Sequence, residues 1–195
     1  MAIDPEELAR RFQGGDDQAF ADLIDVFQER FYRVAYRILG DADGALDVVQ
    51  DAFVKLHKSI GQWDADSKFS SWAFRVVTNL AIDRIRRQTR ERKAWEQRAQ
   101  EEPAYLDDTT DRGLVAQERQ RLLGEVKAAI EELPPGQRAV VALRHYEGFT
   151  LKEIADIRGC ALGTVKSTLH QAFRSLRNSL GPQTLSRATA IQGVA

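Results

Sequence analysis

The chain is poor in several things that mark whole classes of protein. Its 195 residues contain one cysteine, Cys160, so no internal disulfide can form, which fits a reducing compartment. The first residues, MAIDPEELARRF, hold no apolar core of signal-peptide type. No run comes near the roughly 20 apolar residues that a membrane-spanning helix needs. A cytoplasmic protein without membrane insertion is expected. No segment alternates apolar and polar residues for long enough to make a strand. There is no glycine-rich phosphate loop, and no set of carboxylates has the spacing of a metal site or an acid–base pair. The three histidines, His57, His145 and His170, are isolated in sequence. His57 and His145 read as partly buried helix residues, and Cys160 as packing in a tight turn. An enzyme is the least favoured reading, and neither a cofactor nor a metal is indicated.

One further absence is local. From Arg158 to Arg177 there is no acid, only Arg158, Lys166, Arg174 and Arg177, with His170 among them, although the whole chain has a net charge of −1. Charge is segregated along the sequence. Residues 1–66 carry −7, residues 67–93 carry +6, residues 94–118 carry −5 and residues 119–195 carry +5. A near-neutral total thus hides two basic zones, and the chain can meet a polyanion in two places.

What the sequence does contain is helical periodicity. Phe20, Leu23, Ile24, Phe27, Phe31, Val34, Ala35 and Ile38 recur at steps of three and four. Asp16 or Asp17 can cap the start of that helix and Gly40 can end it. A second helix is expected at about 43–60, with Leu46, Val49, Phe53, Leu56 and Ile60 as its core stripe. The breakers of GQWDADSK follow, then a third helix from Phe69 to Arg87 or beyond. Residues 88–117 are charged and poor in large apolar groups, and read as a linker with a helical start. Helices resume at about 114–132 and stop at Leu133-Pro134-Pro135. The expected fold is all-α: two small helical domains, 1–93 and 118–180, joined by a flexible acidic linker at 94–117. The second is a helix-turn-helix domain, and residues 181–195 are expected to form a disordered tail.

The basic stretch can be read as chemistry. Thr150-Leu151-Lys152-Glu153 matches a capping box, so a helix starts there. Ile154, Ala155 and Ile157 form its buried side, and Gly159 permits the left-handed turn that ends it. A second helix starts near 162–164, with Val165, Leu169, Ala172 and Leu176 as its core stripe. Its other face shows Lys166, Ser167, His170, Gln171, Arg174 and Arg177, with Thr164 at its start. Two short helices, a glycine turn and a polar, basic second helix make a helix-turn-helix. Such a helix fits a major groove, where short side chains let it approach base edges and arginines reach phosphates. The plainer alternative is a helical hairpin with a solvated basic face.

Two other helices offer surfaces. On the 43–60 helix a 100° step places Asp47, Gln50, Asp51, Val54 and Lys58 opposite the core stripe, an acidic face with one apolar residue in its middle. It suits protein docking or plain solvation. On the helix from Phe69, the residues Phe69, Trp72, Ala73, Val76 and Leu80 fall on one side, while Arg75, Asn79, Ile82 and Arg86 line another. Lys68, Arg84, Arg87, Arg90 and Arg92 add positive charge. Asparagine can pair with a base edge, and the preceding loop, with Trp63, Asp64 and Ser67, can hold an unstacked base. Trp63 fits a core position equally well, and Trp72 reads as core.

These residues meet a family pattern. "LPPGQRAVVALRHYEGFTLKEIADIRGCALGTVKSTLHQAFRSLR" resembles the C-terminal DNA-binding region of extracytoplasmic-function (ECF) sigma factors. "DVVQDAFVKLHKSI" and "FSSWAFRVVTNLAIDRIRR" are similar to that family's polymerase-binding and promoter-melting helices. The resemblance covers about residues 15–90 and 120–180. It departs at Leu46, where the family often has an acid, at Thr168 and Gln171, where arginines are common, and at Arg158, where an apolar residue is usual. The resemblance implies a sigma factor that binds core RNA polymerase and directs promoter-specific initiation. It implies that Asp47, Gln50, Asp51, Val54 and Lys58 bind the β′ clamp helices, and that the second domain meets the β flap. Trp63, Lys68, Arg75, Asn79, Arg84, Arg86 and Arg87 would open and read the downstream promoter element. Thr164, Lys166, Ser167, His170, Gln171 and Arg174 would read the upstream element. An anti-sigma factor is an expected partner, and the acidic linker would thread near the polymerase active site and RNA exit path. The competing reading is a regulator that binds duplex DNA without polymerase. It leaves the basic zone at 67–93 and the acidic helix before it without a task.

Overall fold

The computed structural model describes residues 4–96 and 114–192, and among them every regular element is helical. α1 (Pro5–Gln13) starts at Asp4, whose carboxylate accepts from the Glu6 N–H at 3.1 Å, with Pro5 in the first turn. The sequence reading had no helix here. α2 (Asp17–Leu39) is capped by Asp16 and ends at Gly40, which takes the left-handed conformation (φ 77°) that a side chain would disfavour. Asp41 caps α3 (Ala42–Ser59) through the Gly44 N–H at 3.0 Å. A single 3-10 turn at Ile60–Gln62 leads into the loop before α4 (Phe69–Glu96).

These helices bury a core rich in phenylalanine. Phe27 stacks on Phe31 at 5.2 Å between ring centres, and Phe74 of α4 meets Phe31 edge-on at 5.3 Å. Side chains of this size, removed wholly from water, each stabilise the fold by roughly 1.5–3 kcal/mol.

The second half begins with α5 (Leu114–Glu131) and α6 (Pro135–His145). α7 (Leu151–Arg158) and α8 (Leu162–Gln192) complete the chain. Pro135 opens α6, where the missing N–H costs nothing. The continuous helix to Gln192 corrects the expectation of disorder after Leu180, at least as far as Gln192. Pro182 removes one ladder bond, but Leu185, Arg187, Ala188 and Ala190 are sound helix formers. The expected linker overlaps α4 and α5 at its ends, and its middle, 97–113, lies outside the described residues.

The two halves pack against each other. One core cluster runs through both, and Phe149, from the turn before α7, meets Phe74 edge-on at 4.9 Å. A smaller cluster joins Ala129, Leu133, Val141, Ala172 and Leu176 within the second half. Arg138 of α6 is buried and donates to the carbonyls of Ile38 (2.7 Å) and Leu133 (3.1 Å). Ile38 sits in the last turn of α2, where carbonyls have no partner along the helix and carry partial negative charge. Arg138 thereby closes the end of α2 with a cation from the other half.

Candidate nucleic-acid interface

The helix-turn-helix forms for the reasons visible in its sequence. The Thr150 hydroxyl accepts from the Glu153 N–H at 3.2 Å, and the Glu153 carboxylate accepts from the Thr150 N–H at 2.9 Å. Gly159 ends α7 at φ 62°. The start of α8 is then pinned by Val165 and Ala172, both fully buried. That leaves Thr164, Lys166, Ser167, His170, Gln171 and Arg174 on the outer side, every one exposed. His145 stands apart from this face. Its ring lies edge-on to Phe173 at 5.4 Å, and burial, aided by the charge of Arg144, lowers its pKa and favours the neutral form.

The residues expected at the downstream element are only partly brought together. Trp63 is a correction. It is 3% exposed, its ring packs edge-on to Phe69 at 5.4 Å, and its carbonyl accepts from the Gln13 side chain at 3.1 Å. The loop's aromatic therefore belongs to the core and does not offer a face to a base. Lys68, Arg75 and Asn79 lie along the exposed side of α4, but all three are engaged by α7. Lys68 pairs with Glu153 at 2.7 Å. Arg75 donates to the carbonyls of Asp156 and Ile157. Arg158, one of the residues that depart from the family pattern, donates to the Asn79 side chain at 3.4 Å. An open cleft of about 640 Å³ remains between this part of α4, the preceding loop and the start of α7.

Arg84 is half-buried and pairs with Asp47 of α3 at 2.9 Å. It crosses α3 at Gly44, where a Cβ would stand 2.4 Å from the Asp41 cap carboxylate and 3.0 Å from the Arg84 Nε, so the glycine makes room for the cap and the arginine together. Arg86 and Arg87 are exposed at the far end of α4 and pair loosely with Asp83 and Glu91 along the same helix, both at 3.6 Å. Together with Arg84 and Arg90 they border a groove of about 900 Å³ that Asp51 and Pro135 also line.

On α3, Asp47, Gln50, Asp51, Val54 and Lys58 are all exposed. Two corrections apply. Leu46 is not core but 51% exposed, and with Val54 at 52% it makes the acidic face more apolar than expected. The fully buried stripe is Ala45, Val48, Ala52 and Leu56, whose small members let α3 approach closely, and Val49, Phe53 and Ile60 of the expected stripe pack partly buried against the same core. Asp47 is also already partnered by Arg84.

With this geometry in hand, comparison with known proteins is informative. The model of Sigma-70 region 2 matches residues 23–91, and that of Sigma-70 region 4 matches residues 123–176. The ECF RNA polymerase sigma factor SigW of Bacillus subtilis (strain 168) is 32% identical over 176 residues, 88% of this chain and 94% of that protein. The ECF RNA polymerase sigma-E factor of Escherichia coli (strain K12) is 29% identical over 179 residues, 90% of this chain and 93% of that protein. Among solved structures, CnrH in complex with the cytosolic domain of CnrY aligns with a TM-score of 0.64 at 21% identity, covering 90% of this chain and 96% of that one. The sigma factor RpoE in complex with the anti-sigma factor NepR from Bartonella quintana gives 0.61 at 24% identity, covering 83% and 96%. At such identities the structures establish the fold. The two halves are thus regions 2 and 4 of a sigma-70 type protein. The chain belongs to the ECF RNA polymerase sigma factors. It is a transcription initiation factor that associates with RNA polymerase and directs it to promoters, not an enzyme. Among the described residues no helix is long and apolar enough to cross a membrane.

The contact between Lys68 and Glu153 has a pH signature. The Lys68 ammonium, followed by the Thr150 N–H and hydroxyl, holds the Glu153 carboxylate down to about 2, from an ordinary value of 4.5. A carboxylate depressed on folding stabilises the fold fully above its unfolded pKa and loses that contribution as pH falls through its folded pKa. Glu153→Gln keeps an acceptor for the Thr150 N–H. The wild type should therefore exceed Glu153→Gln in urea midpoint by a constant margin at neutral pH. That margin should shrink as pH falls from 4.5 towards 2. A margin independent of pH would contradict the pairing.

Proposed function

We propose that three separate surfaces divide the work of initiation. The outer face of α8, with Thr164, Lys166, Ser167, His170, Gln171 and Arg174, takes the upstream element in its major groove. The exposed side of α4, with Lys68, Arg75, Asn79, Arg84, Arg86 and Arg87, takes the downstream element as it opens. The α3 face of Gln50, Asp51, Val54 and Lys58, with Leu46 and Asp47 beside them, docks on the β′ clamp helices, and the second half meets the β flap. The observation that carries the reading is the α8 face. Six polar or basic side chains stand exposed on one side of a helix whose other side is core. Domain limits of 1–93 and 118–180 are part of the same proposal. CnrH and RpoE are described in complexes with CnrY and with the anti-sigma factor NepR. By that likeness an anti-sigma factor belongs among the partners of this chain, and its place of action is the cytoplasm.

Arg174→Ala and Lys166→Ala test the upstream surface. A base contact should cost about 1–3 kcal/mol and relax specificity at one position, and a phosphate contact should cost less and equally for all sequences. Gel shifts of holoenzyme on promoter DNA measure this, and unchanged affinity in both variants would remove α8 from the groove.

Asp51→Arg tests docking and separates a sigma factor from a stand-alone duplex binder. The side chain is exposed, so the fold should change by no more than about 0.5 kcal/mol. Against a basic partner the same reversal should weaken assembly by about 2 kcal/mol or more. Co-purification with core polymerase reads this, with circular dichroism to verify folding. A folded variant that still assembles and still drives transcription would rule out the α3 face.

A further inference from the structure

α1 has one face in the core and another on the loop before α4. Leu8, Ala9 and Phe12 are buried, and the Phe12 ring meets Phe20 at 4.6 Å and His57 at 5.1 Å. Glu6 and Gln13 stand seven residues apart, which puts them on one side of the helix, about 10 Å from each other along its axis. They reach the two ends of the same loop. The Gln13 amide donates to the carbonyls of Ile60 at 3.2 Å and Trp63 at 3.1 Å, where the chain leaves α3. The Glu6 carboxylate accepts from the Ser70 hydroxyl at 3.4 Å, in the first turn of α4. Between these points the loop is closed on itself. The Asp64 carboxylate accepts from the Asp66 N–H at 3.0 Å. The Asp64 carbonyl accepts from the Ser67 N–H at 2.9 Å and from its hydroxyl at 2.7 Å.

We infer that α1 is a strut for strand opening, and that Gln13 is a positioning residue that acts through the loop. The inference rests on the assignment of α4 and its loop to the downstream element. Asp64 and Ser67 line the cleft of about 640 Å³ together with Lys68, Ser71 and Arg75, so the loop forms one wall of the surface that receives the unpaired strand. The Trp63 ring fixes this wall at one buried point, while Gln62 and Asp64 on either side are exposed. A loop with one anchor can pivot about it. The Gln13 amide has two N–H donors and gives one to each of two carbonyls three residues apart, which removes that freedom. A binding surface works when groups behind it hold it to within about 0.5 Å, and α1 supplies that support from outside the cleft.

The test uses Gln13→Glu, which keeps the shape but sets acceptors against two carbonyl oxygens, and Gln13→Lys, which keeps a donor. Gln13 is exposed, so both variants should fold as the wild type does. In the free chain, hydrogen exchange at the Trp63 and Ser67 amides should quicken about tenfold in Gln13→Glu, the factor for a hydrogen bond at the strong end of its usual range. Gln13→Glu should assemble with core polymerase and bind upstream duplex DNA as the wild type does. Its open complex, read by permanganate reactivity of melted thymines, should fall by about the same factor, and Gln13→Lys should recover most of the loss. Unchanged exchange in Gln13→Glu, or an equal loss of opening in Gln13→Lys, would overturn the inference. So would normal opening by Gln13→Glu under conditions where Lys68→Ala with Arg75→Ala fails to melt the promoter. If that double variant melts the promoter normally, the assignment of α4 and its loop falls, and the role of Gln13 in opening falls with it.

Discussion

The Glu147 carboxylate is almost wholly buried, and among the described residues Arg30 and Arg33 neutralise it. A buried ion pair adds little net stability, but removing one partner costs about 3–5 kcal/mol, because a charge is then stranded out of water. The turn between α6 and α7 therefore has one acceptable position on α2. Arg30 lies 4.9 Å above the Phe74 ring, and Phe74 receives Phe149 edge-on. The place of α7 along α4 follows from these contacts, and with it the pairing of Glu153 with Lys68 and of the end of α7 with Arg75. Arg138 repeats the device at the end of α2. Charged groups set the register between the halves, and aromatic rings fill the space they define.

This arrangement explains why a chain with two basic zones has a net charge close to zero. Acids accompany the cations at several levels. Asp47 partners Arg84, Glu153 partners Lys68, and Glu147 partners Arg30 and Arg33. The Asp47–Arg84 and Glu153–Lys68 pairs lie near the surface, where such pairs are worth at most about 1 kcal/mol each and are screened by salt. The α8 face has no acid among its residues and stays open.

Local structure was legible in the sequence, and contacts between the halves were not. The phenylalanine stripe of α2, the Asp16 cap, Gly40, the Thr150–Glu153 box and the Gly159 turn all act over a few residues, and the residue types state the geometry. The exposed polar face of α8 could be read for the same reason. The expected α3 stripe holds at Val49, Phe53, Leu56 and Ile60 but missed Ala45 and Ala52, which give a weak hydrophobic signal though fully buried, and took in Leu46, which gives a strong one from an exposed position. A helical wheel cannot separate an apolar residue meant for the core from one left on a partner surface. Trp63 posed the same ambiguity in a loop, and packing resolved it in favour of the core. The pairs made by Glu147 join residues 114 and 117 positions apart, and no local pattern encodes them. Arg138, a lone cation within the apolar run QRAVVAL, was the one signal that a distant acceptor had to exist.

The central claim is that the Glu147 ion pairs and the Phe74–Phe149 contact fix the second half against the first. The most direct test is the distance between regions 2 and 4, measured by pulsed electron paramagnetic resonance. Spin labels attached through Gln28→Cys on α2 and Ser175→Cys on α8, both exposed, would report it once Cys160→Ser has removed the native thiol. The account predicts one narrow, short distance distribution for the unaltered chain and a broader, longer one when Glu147→Gln and Arg33→Glu remove the pairs. A broad, long distribution in the unaltered chain, or an unchanged one in that variant, would contradict it.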